Sequence, residues 1–420
     1  MRMNKKKEVV PKLRFPEYIG KKLKITKLGK ISSIVKEKAG KNKYTLMSVT
    51  SGVGLIPQAE KFGREIAGDS YKNYIVIKKY DFAYNKSATK QFPEGYISML
   101  GEYDIAAVPN SIFTCFRIND NESYPPFFDY LWHNNYHGHW LRKYIEVGAR
   151  AHGALSVDTK HLWSMPLALP DFKEQQKITD CLSSIDELLD AESRKLKALE
   201  KYKKGLMQKL FPAEGKTLPE WRFPEFQGCG DWMYEEIGEI GEVITGKTPS
   251  TSDSALWDGD IQFVTPTDIT ENKYQHHTQR TVVKTPKMKV LPKHTIMFTC
   301  IASIGKMALS LYPCITNQQI NSIVPKSCYN NEFIYYSLLQ KTFLIKAGFA
   351  NSTLPIINKT DFSKIQVPVI LDKKEQQKIA ECLSEVDTMI TEQSSKLEQL
   401  KTHKKGLMQG LFPSLEEADV

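Results

Sequence analysis

The chain has 420 residues, 41% hydrophobic and 25% charged, with a formal net charge of +10. That length implies two or three domains; no apolar run is long enough to cross a membrane, and the basic start "MRMNKKKEVV" lacks the apolar core of a secretory signal. None of the seven cysteines forms a C-x-x-C pair, so a reduced cytoplasmic protein without a zinc ribbon is expected.

The first strand candidates are "YIVIKKYDFAYN" (74–85) and "DIAAVPNSIFTCFRI" (104–118), rich in β-branched and aromatic residues. "PPFFDYLWHNNYHGHWLRKYIEVG" (125–148) predicts a helix with proline in its first turn. Extended chain then leads to Pro166. Asp171 and Glu174, at capping-box spacing, open a long helix. Its apolar residues Ile178, Leu182, Ile185, Leu189, Leu196, Leu199, Leu206 and Leu210 alternate steps of four and three, the seam of a coiled coil. "LFP" ends it, because proline cannot continue a helix.

The second half begins with "WRFPEF" (221–226), an echo of "LRFPEY" (13–18). Next, "GEVITGKTPS" (241–250) matches the phosphate-loop pattern G-x-x-x-x-G-K-S/T. A phosphate loop needs a strand before it and a helix after it. Here Ile237, Ile240 and Val243 suit a short helix, and Pro249 with the Ser/Thr/Asp run favours turns. The context therefore argues against an ATPase. "TIMFTCIASIGKMALS" (295–310) and "INSIVP" (320–325) read as strands, and "NNEFIYYSLLQKTFLIKAG" (330–348) as a helix. Extended chain leads to Pro368, and Asp372 with Glu375 opens a second long helix.

The two long helices are copies. Residues 173–212 and 374–413 agree at 23 of 40 positions with a constant offset. Polar seam positions coincide too: Glu192 with Gln393, and Lys203 with Lys404. The chain thus reads as two units, about 11–212 and 219–413, related by internal two-fold pseudo-symmetry. Each helix is acidic early and basic late. Antiparallel packing sets acidic halves against basic ones, and a helix of some 37 residues makes a rod of about 55 Å. Most of the basic excess lies outside these helices, which fits a nucleic-acid partner.

Several motifs taken together resemble the specificity subunit of type I restriction–modification systems, the HsdS family. They are "GKTPS" (246–250), "WDGDIQFVTPTDI" (257–269), "TNQQIN" (316–321), both "EQQKI" helix starts, both "KKGLMQ…LFP" helix ends and "RFPEF". The resemblance implies an α+β fold: two mixed α/β target-recognition domains (11–170 and 219–371) separated by an antiparallel coiled coil of two long helices (171–212 and 372–413). It implies a non-catalytic reader of a split double-stranded DNA target, partnered by two methyltransferase (HsdM-type) subunits and by restriction (HsdR-type) subunits. A coiled-coil scaffold without DNA specificity and a stand-alone DNA methyltransferase are the alternatives. "SYPPFF" (123–128) approximates the Asp/Asn/Ser-Pro-Pro-aromatic motif of adenine methyltransferases. However, Tyr124 cannot accept from the target amine as that motif requires, and no glycine-rich turn follows a strand for S-adenosylmethionine. No cofactor and no catalytic residue are expected.

Groove and phosphate contacts need donors and small polar groups on loops. In the second unit these are Lys247, Thr248, Ser250, Thr251, Thr267, Asp268, Lys306, Asn317, Gln318 and Gln319, with the three amides suited to base edges. The first unit has no "GKTPS"-like start; its candidates are Lys43, Arg64, Lys86, Arg117, Arg150 and His152. His133 and His137 would share a helix face near Trp132 and Trp140. Without an acidic partner at zinc-site spacing they read as surface or DNA-facing side chains, not metal ligands.

Overall fold

The computed structural model describes residues 9–66, 68–110, 113–145, 158–301, 303–349 and 356–413. The fold divides into two units, Met1–Asp190 with Glu398–Val420, and Ala191–Leu397. These differ from the sequence repeats: each unit holds the first half of one long helix and the second half of the other.

The first unit runs β1 (Lys24–Lys27), α1 (Leu28–Ile31), β2 (Ser32–Ile34), β3 (Met47–Thr50), β4 (Gly54–Pro57) and α2 (Gln58–Phe62). It continues with β5 (Ile75–Lys78), β6 (Phe82–Asn85), β7 (Tyr96–Met99), β8 (Ile105–Val108), β9 (Phe113–Ile118), α3 (Pro125–His133), α4 (Tyr136–Leu141), α5 (Thr159–Trp163) and β10 (Pro166–Leu169). Helix α6 (Phe172–Leu210) leaves it. The second unit runs β11 (Met233–Glu236), α7 (Ile237–Ile240), β12 (Gly241–Thr245), β13 (Trp257–Val264), β14 (Tyr274–Gln275), β15 (Arg280–Val282) and β16 (Ile296–Thr299). Then come β17 (Met307–Ser310), β18 (Cys314–Thr316), β19 (Ile320–Pro325), α8 (Asn331–Phe349), α9 (Lys359–Ser363), β20 (Gln366–Val369) and α10 (Lys373–Leu411).

One plan is used twice despite scant shared sequence. The main sheets have the orders β2-β9-β6-β7 and β12-β19-β16-β17-β14. In both units an entry strand pairs antiparallel with the strand before the long helix, β1 with β10 and β11 with β20. The strand segments expected at 74–85, 104–118, 295–310 and 320–325 are all present, the first three each as two short strands. No helix of the described residues is long and apolar enough to cross a membrane.

Three local expectations need correction. The helix expected at 125–148 is broken: α3 stops at His133 because Asn135 takes left-handed angles (φ 57°), which asparagine tolerates, and α4 starts beyond it, while 146–148 lie outside the described residues. His133 and His137 therefore sit on separate helices. His137 is buried, not DNA-facing; its Nε2 lies 3.3 Å from the Gly95 carbonyl, and burial lowers its pKa to about 4. Val243, read as part of a short helix, belongs to strand β12; the helix covers only Ile237–Ile240.

The repeated residues are those that fasten helix to domain. Asp171 and Asp372 cap the helices by accepting from Glu174 N (2.9 Å) and Glu375 N (3.0 Å). The capping-box glutamates turn instead to the arginines of the "RFPE" echo. Arg14 grips Glu174 with two bonds of 2.7 and 2.8 Å, and Arg222 grips Glu375 at 2.9 and 2.8 Å. Gln175 accepts from Tyr124 N, and Gln376 from Asn330 N, each locking the start of a domain helix. "SYPPFF" thus serves to dock α3 on α6.

Antiparallel pairing is visible inside each unit. In the first, Lys404 pairs with Asp186, which also accepts from Tyr130 Oη (2.8 Å). The second repeats this with Lys203, Asp387 (2.6 Å) and Tyr336 (2.5 Å). Each helix ends by burying a phenylalanine in the core of the unit it enters. Phe211 packs on Phe333 and Trp232, and Phe412 packs on Phe127. Such burial contributes about 1.5–3 kcal/mol per side chain.

At the pseudo-symmetric midpoint of the seam, Gln393 Nε2 donates to Glu192 Oε2 (2.5 Å) and to the Glu192 carbonyl (3.0 Å), and Lys396 reaches Oε1 (2.5 Å). Gln393 first and Lys396 second hold the Glu192 carboxyl below its ordinary value of 4.5. A depressed carboxyl stabilises the fold above its unfolded pKa and loses that contribution as pH falls through the folded value. Thermal unfolding followed from about pH 6 to about pH 3 should show an acid-side loss that shrinks in Glu192→Gln. An identical pH slope in the variant would exclude this role.

Candidate nucleic-acid interface

In the second unit the motif loops converge where β12, β13 and β16 end and β19 begins. Strand β12 pairs with β19 up to Thr245 and Asn321, whose side chains bond at 2.6 Å. Gly246 N then donates to the Ile320 carbonyl (3.1 Å). A Cβ on Gly246 would stand 2.2 Å from the Asn317 carbonyl oxygen and 2.3 Å from that of Thr316. This glycine therefore exists for close backbone approach, and no helix follows Lys247. The phosphate-loop spelling is a loop–strand junction. Gly246→Ala should displace the 316–319 segment and destabilise the second unit, scored by denaturant unfolding. An unchanged midpoint would mean that the junction tolerates a side chain.

Three further loops join it. Asn317 N donates to the Val264 carbonyl (3.0 Å) beside the parallel β13–β18 pair. Asp268 closes the 265–268 turn by accepting from Thr265 N and Oγ1 (2.8 and 2.6 Å), and it accepts from Gln279 N (2.9 Å). Cys300 N donates to the Gln319 carbonyl (2.8 Å), tying in the 300–306 loop that carries Lys306.

The candidate side chains divide by environment. Lys247, Ser250, Thr251, Thr267, Lys306 and Gln318 are exposed. Thr248 Oγ1 donates to Gln318 Oε1 (2.7 Å), so two motifs far apart in sequence meet directly. Asp268 is occupied by its turn. Asn317 is buried and spends its amide on Gln319 Oε1 (3.0 Å) and the Gln319 N–H (3.1 Å). Lys247 and Lys306 form no ion pair among the described residues.

The first-unit candidates are less concentrated. Lys86 follows β6 at the sheet edge that corresponds to the loop cluster, since Asn85 pairs with Phe113. Arg117 lies near the other end of β9, opposite Ser33, and is held bidentately (2.6 and 2.7 Å) by buried Asp81. That carboxylate raises the arginine's pKa. Lys43 and Arg64 are exposed on separate segments. Arg150 and His152 lie outside the described residues. Lys36 and Lys38, not nominated from the sequence, are exposed after β2 at the place where "GKTPS" follows β12. Only the shared topology reveals that correspondence.

Residues 230–402 match the family described as the type I restriction modification DNA specificity domain. The chain as a whole resembles type I restriction enzyme specificity subunits. It is 32% identical over 194 residues to the MjaIX specificity subunit of Methanocaldococcus jannaschii, covering 44% of this chain and 45% of that one. To the HindI specificity subunit of Haemophilus influenzae it is 31% identical over 146 residues, 32% and 31% of the two chains. To the putative MjaX specificity subunit of M. jannaschii it is 26% identical over 301 residues, 70% and 68%. The matched stretches thus span less than half the length of the first two relatives. Among solved structures, the type I restriction–modification S subunit from M. genitalium aligns with a TM-score of 0.59 and 16% identity, covering 96% of this chain and 99% of that one. A chain from a structure addressing complex assembly and conformational transition of the type I system gives 0.58 and 15%, covering 93% and 97%. The family resemblance carried by the motifs, and the α+β fold with its long helix pair, are borne out.

Proposed function

We propose that this chain is the DNA-sequence specificity subunit of a type I restriction–modification complex. Each unit reads one half of a split duplex target. The chain catalyses no reaction; it holds two methyltransferase subunits and restriction subunits, which supply the chemistry in the cytoplasm. The observation that carries this reading is one sheet plan used twice, with different polar loop residues at corresponding edges. A common frame with divergent loops suits two readers of different sequences. Lys247, Thr248, Ser250, Thr251, Thr267, Lys306, Gln318 and Gln319 are the proposed contacts of the second unit, with Asn317 and Asp268 shaping their loops. Lys43, Arg64, Lys86, Arg150 and His152 remain proposals for the first unit, and Arg117 supports its sheet. Selection of bound duplexes from a randomised pool, at raised salt, should return a two-part motif. Binding that depends on salt alone would favour a scaffold without specificity.

A further inference from the structure

We propose that Arg280, stacked on Trp257, is a base-reading residue of the second unit that recognises a guanine in the major groove. The inference rests on the DNA-reading function proposed above.

The arginine is unusually well held for an exposed side chain. Its guanidinium carbon lies 3.4 Å from the Trp257 ring centroid. The indole beneath it is fixed: Trp257 is buried, its Nε1 donates to the Ser250 carbonyl (2.9 Å), and its ring meets Phe263 edge-on at 5.3 Å. A register shift in β13 sets this up. Both Trp257 and Ile261 oppose Val282, Asp258 takes φ 61°, and a Cβ on Gly259 would stand 2.6 Å from the Val282 carbonyl oxygen. The shift leaves the indole against Arg280, which lies two residues before Val282 and so on the same face of β15.

Stacking occupies the face of the guanidinium and leaves its edge donors. Arg280 is in no ion pair among the described residues. It also belongs to the loop cluster, because the preceding residue, Gln279, donates its N–H to Asp268, and Ser250 carries the indole's acceptor. A planar fork held in one orientation matches the O6 and N7 acceptors of guanine. A phosphate contact would not require the indole platform.

The test uses the full chain and duplexes carrying the selected target with each base pair of the second-unit half-site changed in turn. Arg280→Lys keeps the charge and loses the fork. It should lose roughly five- to hundredfold discrimination at one G·C pair and none elsewhere. Trp257→Phe removes the bond to Ser250 and should weaken discrimination at that same pair. If Arg280→Lys instead weakens binding equally on every sequence, or Arg280→Ala lowers the salt slope by about 0.9 with discrimination intact, Arg280 is a phosphate contact and the inference fails. Full discrimination in both Arg280→Lys and Trp257→Phe also overturns it. A parent chain with no sequence preference overturns the proposed function itself, and this inference with it.

Discussion

Arg222→Ala should destabilise the second unit by about 3–5 kcal/mol, the cost of stranding a buried carboxylate. Glu375 is essentially inaccessible and Arg222 nearly so, with side-chain exposures of 1% and 9%. Arg222 also donates to the carbonyls of Gly230 (2.8 Å) and Cys229 (2.7 Å), so its loss orphans the turn as well as the carboxylate. Arg14→Ala should act similarly on the first unit, where Arg14 and Glu174 are 6% and 1% exposed. Lys21 and Asp171, 52% and 47% exposed, provide the contrast: Lys21→Ala, which breaks that pair and keeps the Asp171 cap, should cost at most about 1 kcal/mol. Denaturant unfolding of the single and double variants checks this. Arg222→Ala with Glu375→Gln should recover much of the loss, since no charge is then stranded. A double variant no more stable than Arg222→Ala would assign the effect to the turn alone.

On the proposed DNA-reading function, Gln318→Ala should relax specificity in one half-site and leave the other intact. The side chain is exposed, while its Oε1 accepts from Thr248 and so presents the amide from a fixed position. A good bidentate amide–adenine pair carries about 1–3 kcal/mol of discrimination, or tenfold and more. Gln319→Ala should matter less directly, because Gln319 is only half-exposed and is tied to Asn317 by both its Oε1 and its N–H. Each unit has its own core and its own loop edge, so the effect should not spread. The measurement is binding to duplexes varied one half at a time. Full discrimination retained in both halves would make Gln318 structural; relaxation of both together would show that the units do not read independently.

The internal repeat alone yielded the two-part plan. Heptad spacing, aspartate caps and opposed charge halves are local properties of one helix, and they specified two long helices and their antiparallel direction. Strand segments were legible wherever β-branched residues clustered, and Pro125 marked the start of α3. The failures share one cause: the deciding contacts are long-range. Periodicity could not reveal that residues 125–148 break at Asn135, nor that His137 is buried against Gly95. Capping spacing suggested a glutamate folded back on its own helix, whereas a buried arginine 160 residues away competes better. The loop cluster depended most on tertiary structure. Thr248 and Gln318 are 70 residues apart, and only the β12–β19 pairing brings them together. Composition could nominate the polar residues of these loops. Which of them face outward, which tie the loops together, and where Arg280 stands among them follow from strand pairing and its register shift, which no local pattern encodes.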